Sequence, residues 1–160
     1  MNEYANILQQ RRLEASVIRA FYNTLSEAYG AAEAGSIVKD VIRRLAYDKG
    51  RELRIVHPDG DLAAIAELWG KLSEGGALEI EYFSNSPDCL HFRVNRCGYA
   101  QLYQEMGIGN SLSALLSCER DEALLRGYSD KIVLERSRTI LDGAGFCEFV
   151  YKPNRGKPEA

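Results

Sequence analysis

Ile132-Val-Leu-Glu-Arg-Ser-Arg-Thr-Ile-Leu-Asp-Gly-Ala-Gly-Phe-Cys-Glu-Phe-Val-Tyr151 is the stretch around which the chain is organised. The β-rich run Ile132, Val133 and Leu134 leads into Arg136, Ser137 and Thr139. It reverses at Asp142-Gly143-Ala144-Gly145 and returns through Phe146, Cys147, Phe149 and Tyr151. Glycine tolerates the positive φ of a tight reversal, so the pattern is that of a β-hairpin. Arg136, Ser137, Arg138, Thr139, Cys147 and Glu148 load its strands with polar groups, which need partners wherever they are buried.

A second hairpin lies upstream. Leu78, Ile80 and Tyr82 alternate with Glu79, Glu81 and Phe83, Ser84-Asn-Ser-Pro-Asp88 turns the chain, and Leu90, Phe92 and Val94 alternate with Cys89, His91, Arg93 and Asn95. Its two faces are one apolar and one mixed. The remainder has helical periodicity. One helix is expected over Tyr4 to Tyr29, ending at Gly30, with Ile7, Leu8, Val17, Ile18, Phe21, Tyr22 and Leu25 as its apolar positions and Gln9, Gln10, Arg11, Arg12 and Glu14 on a solvated face. A second runs from about Ala31 or Ser36 to Asp48, closed by Lys49-Gly50, with the stripe Ile37, Val38, Val41, Ile42 and Leu45. A third, N-capped by Asp61, buries Leu62, Ile65, Trp69 and Leu72. Between the hairpins, Cys97 to Met106 and Ser111 to Tyr128 are helical, the latter with a kink near Cys118 to Asp121.

The order ααα-ββ-αα-ββ predicts an α+β fold in which helices pack on a four-stranded antiparallel sheet made of two hairpins. Residues 1–152 are expected to form a single domain and residues 153–160 a flexible tail. At 160 residues, 46% hydrophobic and 27% charged, the chain is long enough to bury an ordinary core. A net charge of -3 offers no basic footprint for nucleic acid. There is no apolar run of signal-peptide or membrane-spanning length, so a soluble, cytoplasmic protein with no membrane partner is expected. Cys89, Cys97, Cys118 and Cys147 are then expected as reduced thiols. None stands in C-x-x-C spacing, and Cys89-x-His91 is the only local hint of a metal, so neither a metal nor a cofactor is expected.

Asn95-Arg-Cys97-Gly-Tyr99-Ala100, then Tyr103, Glu105 and Gly107, then Leu116, Cys118 and Asp121, and finally Arg136-Ser137, Thr139, Gly143 and Cys147-Glu148-Phe149 form a series of short motifs. In order and spacing the series resembles that of the L-2-amino-thiazoline-4-carboxylic acid hydrolase family, with Glu148 where Asp is usual and Ser137 where Thr is commoner. The closing hairpin is similar, more remotely, to ligand-binding 4-vinyl reductase-type domains and to transport-particle subunits. Some of those 4-vinyl reductase-type domains hold zinc near this hairpin; here Arg136 and Thr139 stand at two of the ligand positions, and neither suits zinc.

The resemblance implies a pocket between sheet and helices and a hydrolase that opens a cyclic amidine-like ring. Water adds to an sp² carbon between nitrogen and sulfur, which requires a base, an acid and a cation for the substrate carboxylate. Asp121 or Glu148 fits the base or acid, and Arg136, then Arg138, fits the carboxylate. Ser137, Thr139, Asn95 and Tyr99 are further substrate-binding candidates. Cys118 or Cys147 is a nucleophile if a neighbouring cation or helix N-terminus lowers its pKa. Plainer readings stand beside these: an Arg136–Glu148 ion pair across the hairpin, Asp121 as a helix cap, the thiols and tyrosines as packing. The alternative function is a non-catalytic sensor or carrier domain that holds a small ligand. A homodimer is expected from the fold analogy, with the first helix able to pair with a symmetry mate.

Overall fold

The computed structural model describes residues 6–156. Helices α1 (Ile7–Tyr29), α2 (Ala31–Val56) and α3 (Leu62–Glu74) precede strands β1 (Leu78–Ser86) and β2 (Cys89–Cys97). Helices α4 (Gly98–Glu105), α5 (Asn110–Leu116) and α6 (Glu119–Tyr128) lead to β3 (Ile132–Arg138), a 3-10 turn at Ile140–Asp142, and β4 (Cys147–Pro153). The strands form one antiparallel sheet in the order β1-β2-β4-β3, so the two hairpins join through β2 and β4. This is the α+β fold expected from the periodicities. The start of the first helix at Tyr4 and residues 157–160 of the expected tail lie outside the described residues. No helix among the described residues is long and apolar enough to cross a membrane.

Alternation in the central strands sets the two faces. Leu90 pairs with Tyr151, Phe92 with Phe149 and Val94 with Cys147, and all six side chains are buried toward the helices. Trp69 of α3 fills the centre of this face, its ring 4.9 Å from Phe92 and 4.8 Å from Phe149, while its Nε1 donates to the Tyr151 hydroxyl at 3.2 Å. Burying each such aromatic contributes roughly 1.5–3 kcal/mol. The Asp61 side chain caps α3 by accepting from the backbone N–H of Ala64.

The closing hairpin contains an irregularity that alternation does not foresee. Glu135 pairs with Val150, but Arg138 pairs with Glu148, so β3 holds one residue more than β4 across the same interval. This bulge breaks the period of two. Arg136 therefore points to the helix side while Arg138, two residues later, lies on the opposite face with Glu148.

Three helical expectations are revised. Helix α2 does not stop at Lys49-Gly50 but runs on to Val56. Gly50 is a packing residue: a Cβ there would lie 2.0 Å from the Leu124 carbonyl oxygen, and one on Gly127 would lie 2.0 Å from that of Tyr47. The two glycines let the backbones of α2 and α6 touch. The kink near Cys118 is a break that separates α5 from α6. In α1 and α2, Val17, Phe21, Ile37, Val41 and Leu45 are exposed, and α1 buries only Ile7 and Ala15.

Candidate functional site

A cavity of about 540 Å³ lies between the inner face of the sheet and helices α1, α2, α3 and α6, within the range of ~300–1,000 Å³ usual for small-molecule sites. Most of its wall is apolar, from Ile65, Leu68, Trp69 and Leu72 on α3 to Val94 and Phe149 on the sheet. Its polar wall comes from Cys97, Tyr99, Cys118, Asp121 and Cys147, with Arg11 and Arg120. Gln10, Leu45 and Lys49, also in the lining, are exposed and mark the mouth between α1 and α2.

Asp121 sits in the first turn of α6, where its charge suits the helix dipole. Arg136 reaches from β3 and donates through Nη1 to Asp121 Oδ2 at 2.6 Å and to the Cys118 carbonyl at 2.8 Å. That pair of bonds ties the edge strand to the start of α6 and fixes the carboxylate. Asp121 is 20% exposed. Burial pushes its carboxyl up to about 6, against the pull of Arg136. Burial opposes the charge on Arg136 in turn, and the Asp121 carboxylate outweighs it.

The thiols behave differently. Burial pushes Cys118 up to about 12, with Asp121 adding to it, and Cys147 up to about 11. Cys97 is raised for the same reason. All three are protonated at neutral pH, and Cys147 Sγ accepts a hydrogen bond from the Ile140 N–H at 3.2 Å. A buried thiol of this kind is a poor nucleophile.

The structure thus divides the residues singled out in the sequence. Asp121, Cys118, Cys147 and Tyr99 line the cavity, and Arg136 supports it from behind. Glu148, Ser137, Arg138 and Asn95 lie elsewhere: Glu148 is on the outer face of the sheet among His91, Arg93, Ser137 and Arg138. There the hydrogen bond to His91, followed by those from Arg93 and Ser137, holds its carboxyl below the usual range. Asn95 donates to Glu81 at the surface. Thr139 caps the 3-10 turn, its Oγ1 bonded to Asp142. The Arg136–Glu148 pair considered from the sequence does not form, because the two side chains leave the sheet on opposite sides. Cys89 and His91 alternate with Leu90 and Phe92 and do not line the cavity. Among the described residues no group of three His, Cys, Asp or Glu side chains is placed to hold a metal.

Sequence reasoning passed over Arg11 and Arg120. The polar run of α1 puts Arg11 and Glu14 on a solvated face, yet both are half-buried, and Glu14 links Arg11 to Arg120 of α6. The available signal was phase, since Arg11 and Glu14 fall in the same helical stripe as Ile7, Ala15 and Ile18, which pack inward.

Fold and site together define a class: an α+β protein whose sheet and helices enclose a mainly apolar cavity with one buried carboxylate in its wall. The sequence matches the family model described as L-2-amino-thiazoline-4-carboxylic acid hydrolase over residues 10–151. The chain belongs to that family. Among solved structures, the phenol-responsive sensory domain of the transcription activator PoxR, determined with phenol, is similar with a TM-score of 0.46 at 11% identity, over 98% of this chain and 77% of that one. No curated protein matches the sequence.

Proposed function

We propose that this protein is a small-molecule hydrolase that opens a thiazoline or related cyclic amidine acid inside the cavity. The observation that carries the reading is Asp121: a carboxylate on the cavity wall, raised toward neutral pH by burial and held in orientation by Arg136. A base with those properties is suited to activating water near pH 7.

Water adds to the ring carbon between nitrogen and sulfur. Asp121 takes its proton and returns it to the ring nitrogen, then takes the hydroxyl proton as the carbonyl forms and passes it to the departing sulfur. One water is consumed, the C–S bond breaks, and a 2-amino-thiazoline ends as a urea and a free thiol. The protonated thiols of Cys118 and Cys147 serve as weak donors and as packing, not as nucleophiles. Arg136 is a positioning residue.

The test is thiol release from L-2-amino-thiazoline-4-carboxylic acid. Asp121→Asn is expected to lower kcat by at least about 100-fold, with binding of the acid retained. A folded wild-type protein that releases no thiol from this acid or related cyclic amidine acids would overturn the hydrolase reading. The dominance of Ile65, Leu68, Trp69 and Leu72 in the wall favours a second reading, a ligand-holding protein without turnover. An apolar molecule retained stoichiometrically through purification, seen by native mass spectrometry, would support it.

The expected homodimer has a surface suited to it. Leu13, Val17 and Phe21 on α1, and Ile37, Val41 and Leu45 on α2, form exposed stripes at four-residue spacing. Each stripe is self-complementary about its central valine: an antiparallel two-fold crossing sets Leu13 against Phe21 and Ile37 against Leu45 of a second copy. The same crossing of α2 sets Glu33 against Lys49, opposite charges at the ends of the contact.

A further inference from the structure

A carboxylate-bearing substrate needs a cation, and Arg136 is poorly placed to supply it. It is absent from the cavity wall, and its bonds to Asp121 and the Cys118 carbonyl hold it behind that wall. Two other guanidiniums do reach the wall. Arg11 of α1 bonds Glu14 at 2.5 Å, and Arg120 of α6 bonds the other oxygen of the same carboxylate at 2.5 Å and the Leu116 carbonyl at 2.7 Å. Their side chains are 22% and 16% exposed, so this cluster is sheltered from water. Glu14 itself does not line the cavity.

The charges do not balance: two arginines share one carboxylate, leaving one positive charge over beside a mainly apolar chamber. Burial and then the like charge of Arg11 act against the cation of Arg120. On Glu14, burial acts to raise the pKa, and the guanidiniums of Arg120 and Arg11 outweigh it to hold the carboxyl below its usual range. An anion entering from the mouth relieves the repulsion between the two guanidiniums. Arg120 can meet such an anion through Nη1, its Nε and Nη2 being bonded to the Leu116 carbonyl and Glu14, and Arg11, bonded to Glu14 through Nη1, can present Nε and Nη2 as the fork suited to a planar carboxylate.

We propose that Arg11 and Arg120 together are the anion anchor of the cavity, binding the carboxylate of an acidic ring substrate, with Glu14 as a resident counter-ion that limits the strength of the grip. This inference deepens the hydrolase reading by naming what holds the acid end of the substrate.

Isothermal titration with two probe pairs tests it: L-2-amino-thiazoline-4-carboxylic acid against its carboxamide, and benzoate against benzamide. Wild-type protein is expected to prefer the acid in at least one pair by about tenfold or more, the scale of one charge-assisted hydrogen bond. Arg11→Gln should erase that preference while leaving the amide affinity and Tm nearly unchanged. Glu14→Gln should enlarge it, a gain that a purely structural brace would not give. No preference in either pair, or a preference that neither variant moves, overturns the anchor. If benzoate follows this pattern while the thiazoline acid is never hydrolysed, the hydrolase reading has failed and the anchor stands.

Discussion

Asp121 and Glu148 are both carboxylates bound by arginine, and their surroundings drive them in opposite directions. Asp121, inside, is raised because burial outweighs Arg136; Glu148, on the outer face, is lowered by its hydrogen bonds. The sign of the stability effect follows. For Asp121, whose pKa rises on folding from 3.8 to about 6, the contribution to folding is fully present below the unfolded value and is lost as pH rises through the folded one. Asp121→Asn carries no such ionisation, so it should gain stability relative to wild type between pH 4 and pH 7. Urea unfolding at the two pH values measures this, and a mutant-to-wild-type difference independent of pH would show that Asp121 titrates as an exposed acid. The motif series brought Asp121, Cys118, Cys147 and Tyr99 forward from the sequence alone. Alternation along β4 sets Glu148 apart from Cys147 and Phe149, but Arg138 could not be separated from Arg136, because the bulge that sends the two to opposite faces is a feature of strand pairing and leaves no mark in β3 read singly.

At the scale of elements, the crossing of α2 and α6 decides how the cavity wall is held. Gly127→Ala should cost about 1–3 kcal/mol or more, because its Cβ meets the Tyr47 carbonyl, a backbone atom that cannot swing aside. Gly70 in α3 is the control: nothing lies within 4 Å of its Cβ position, and Gly70→Ala should stabilise by roughly 0.4–1 kcal/mol. Chemical denaturation of both variants would reveal the opposite signs, and a neutral Gly127→Ala would mean that the two helices stand further apart than described. The two periods, two in the hairpins and near 3.6 in the helices, made the element order readable. Gly50 reads as a stop in the sequence because the residue that most often ends a helix is also the one that lets two helix backbones meet. Only the identity of the neighbour distinguishes the two uses, and that neighbour, Leu124, is 74 positions away.

For the molecule as a whole, the fold class was legible, but the direction in which α1 and α2 face was not. Both helices carry apolar residues on more than one side, and periodicity alone does not say which side meets the sheet. The outward stripes lead to the expectation of a dimer in solution, measured by light scattering across a concentration series. Val17→Glu combined with Val41→Glu should give a monomer with an unchanged far-UV spectrum, whereas a wild-type mass of one chain at every concentration would remove the dimer. The attachment of α1 has a further consequence, in time. The mouth at Gln10, Leu45 and Lys49 is framed by α1, which fully buries only Ile7 and Ala15 and otherwise packs through the half-buried Leu8, Ile18 and Tyr22 and the Glu14–Arg120 pair, while α2 is locked against α6. Widening that mouth by moving the first half of α1 exposes few fully buried side chains but breaks the Glu14–Arg120 contact, an opening of lower free energy than unfolding the core. A second copy pressed onto the outer stripes would add to that barrier, so the residence time of whatever fills the cavity would lengthen as the protein becomes more concentrated.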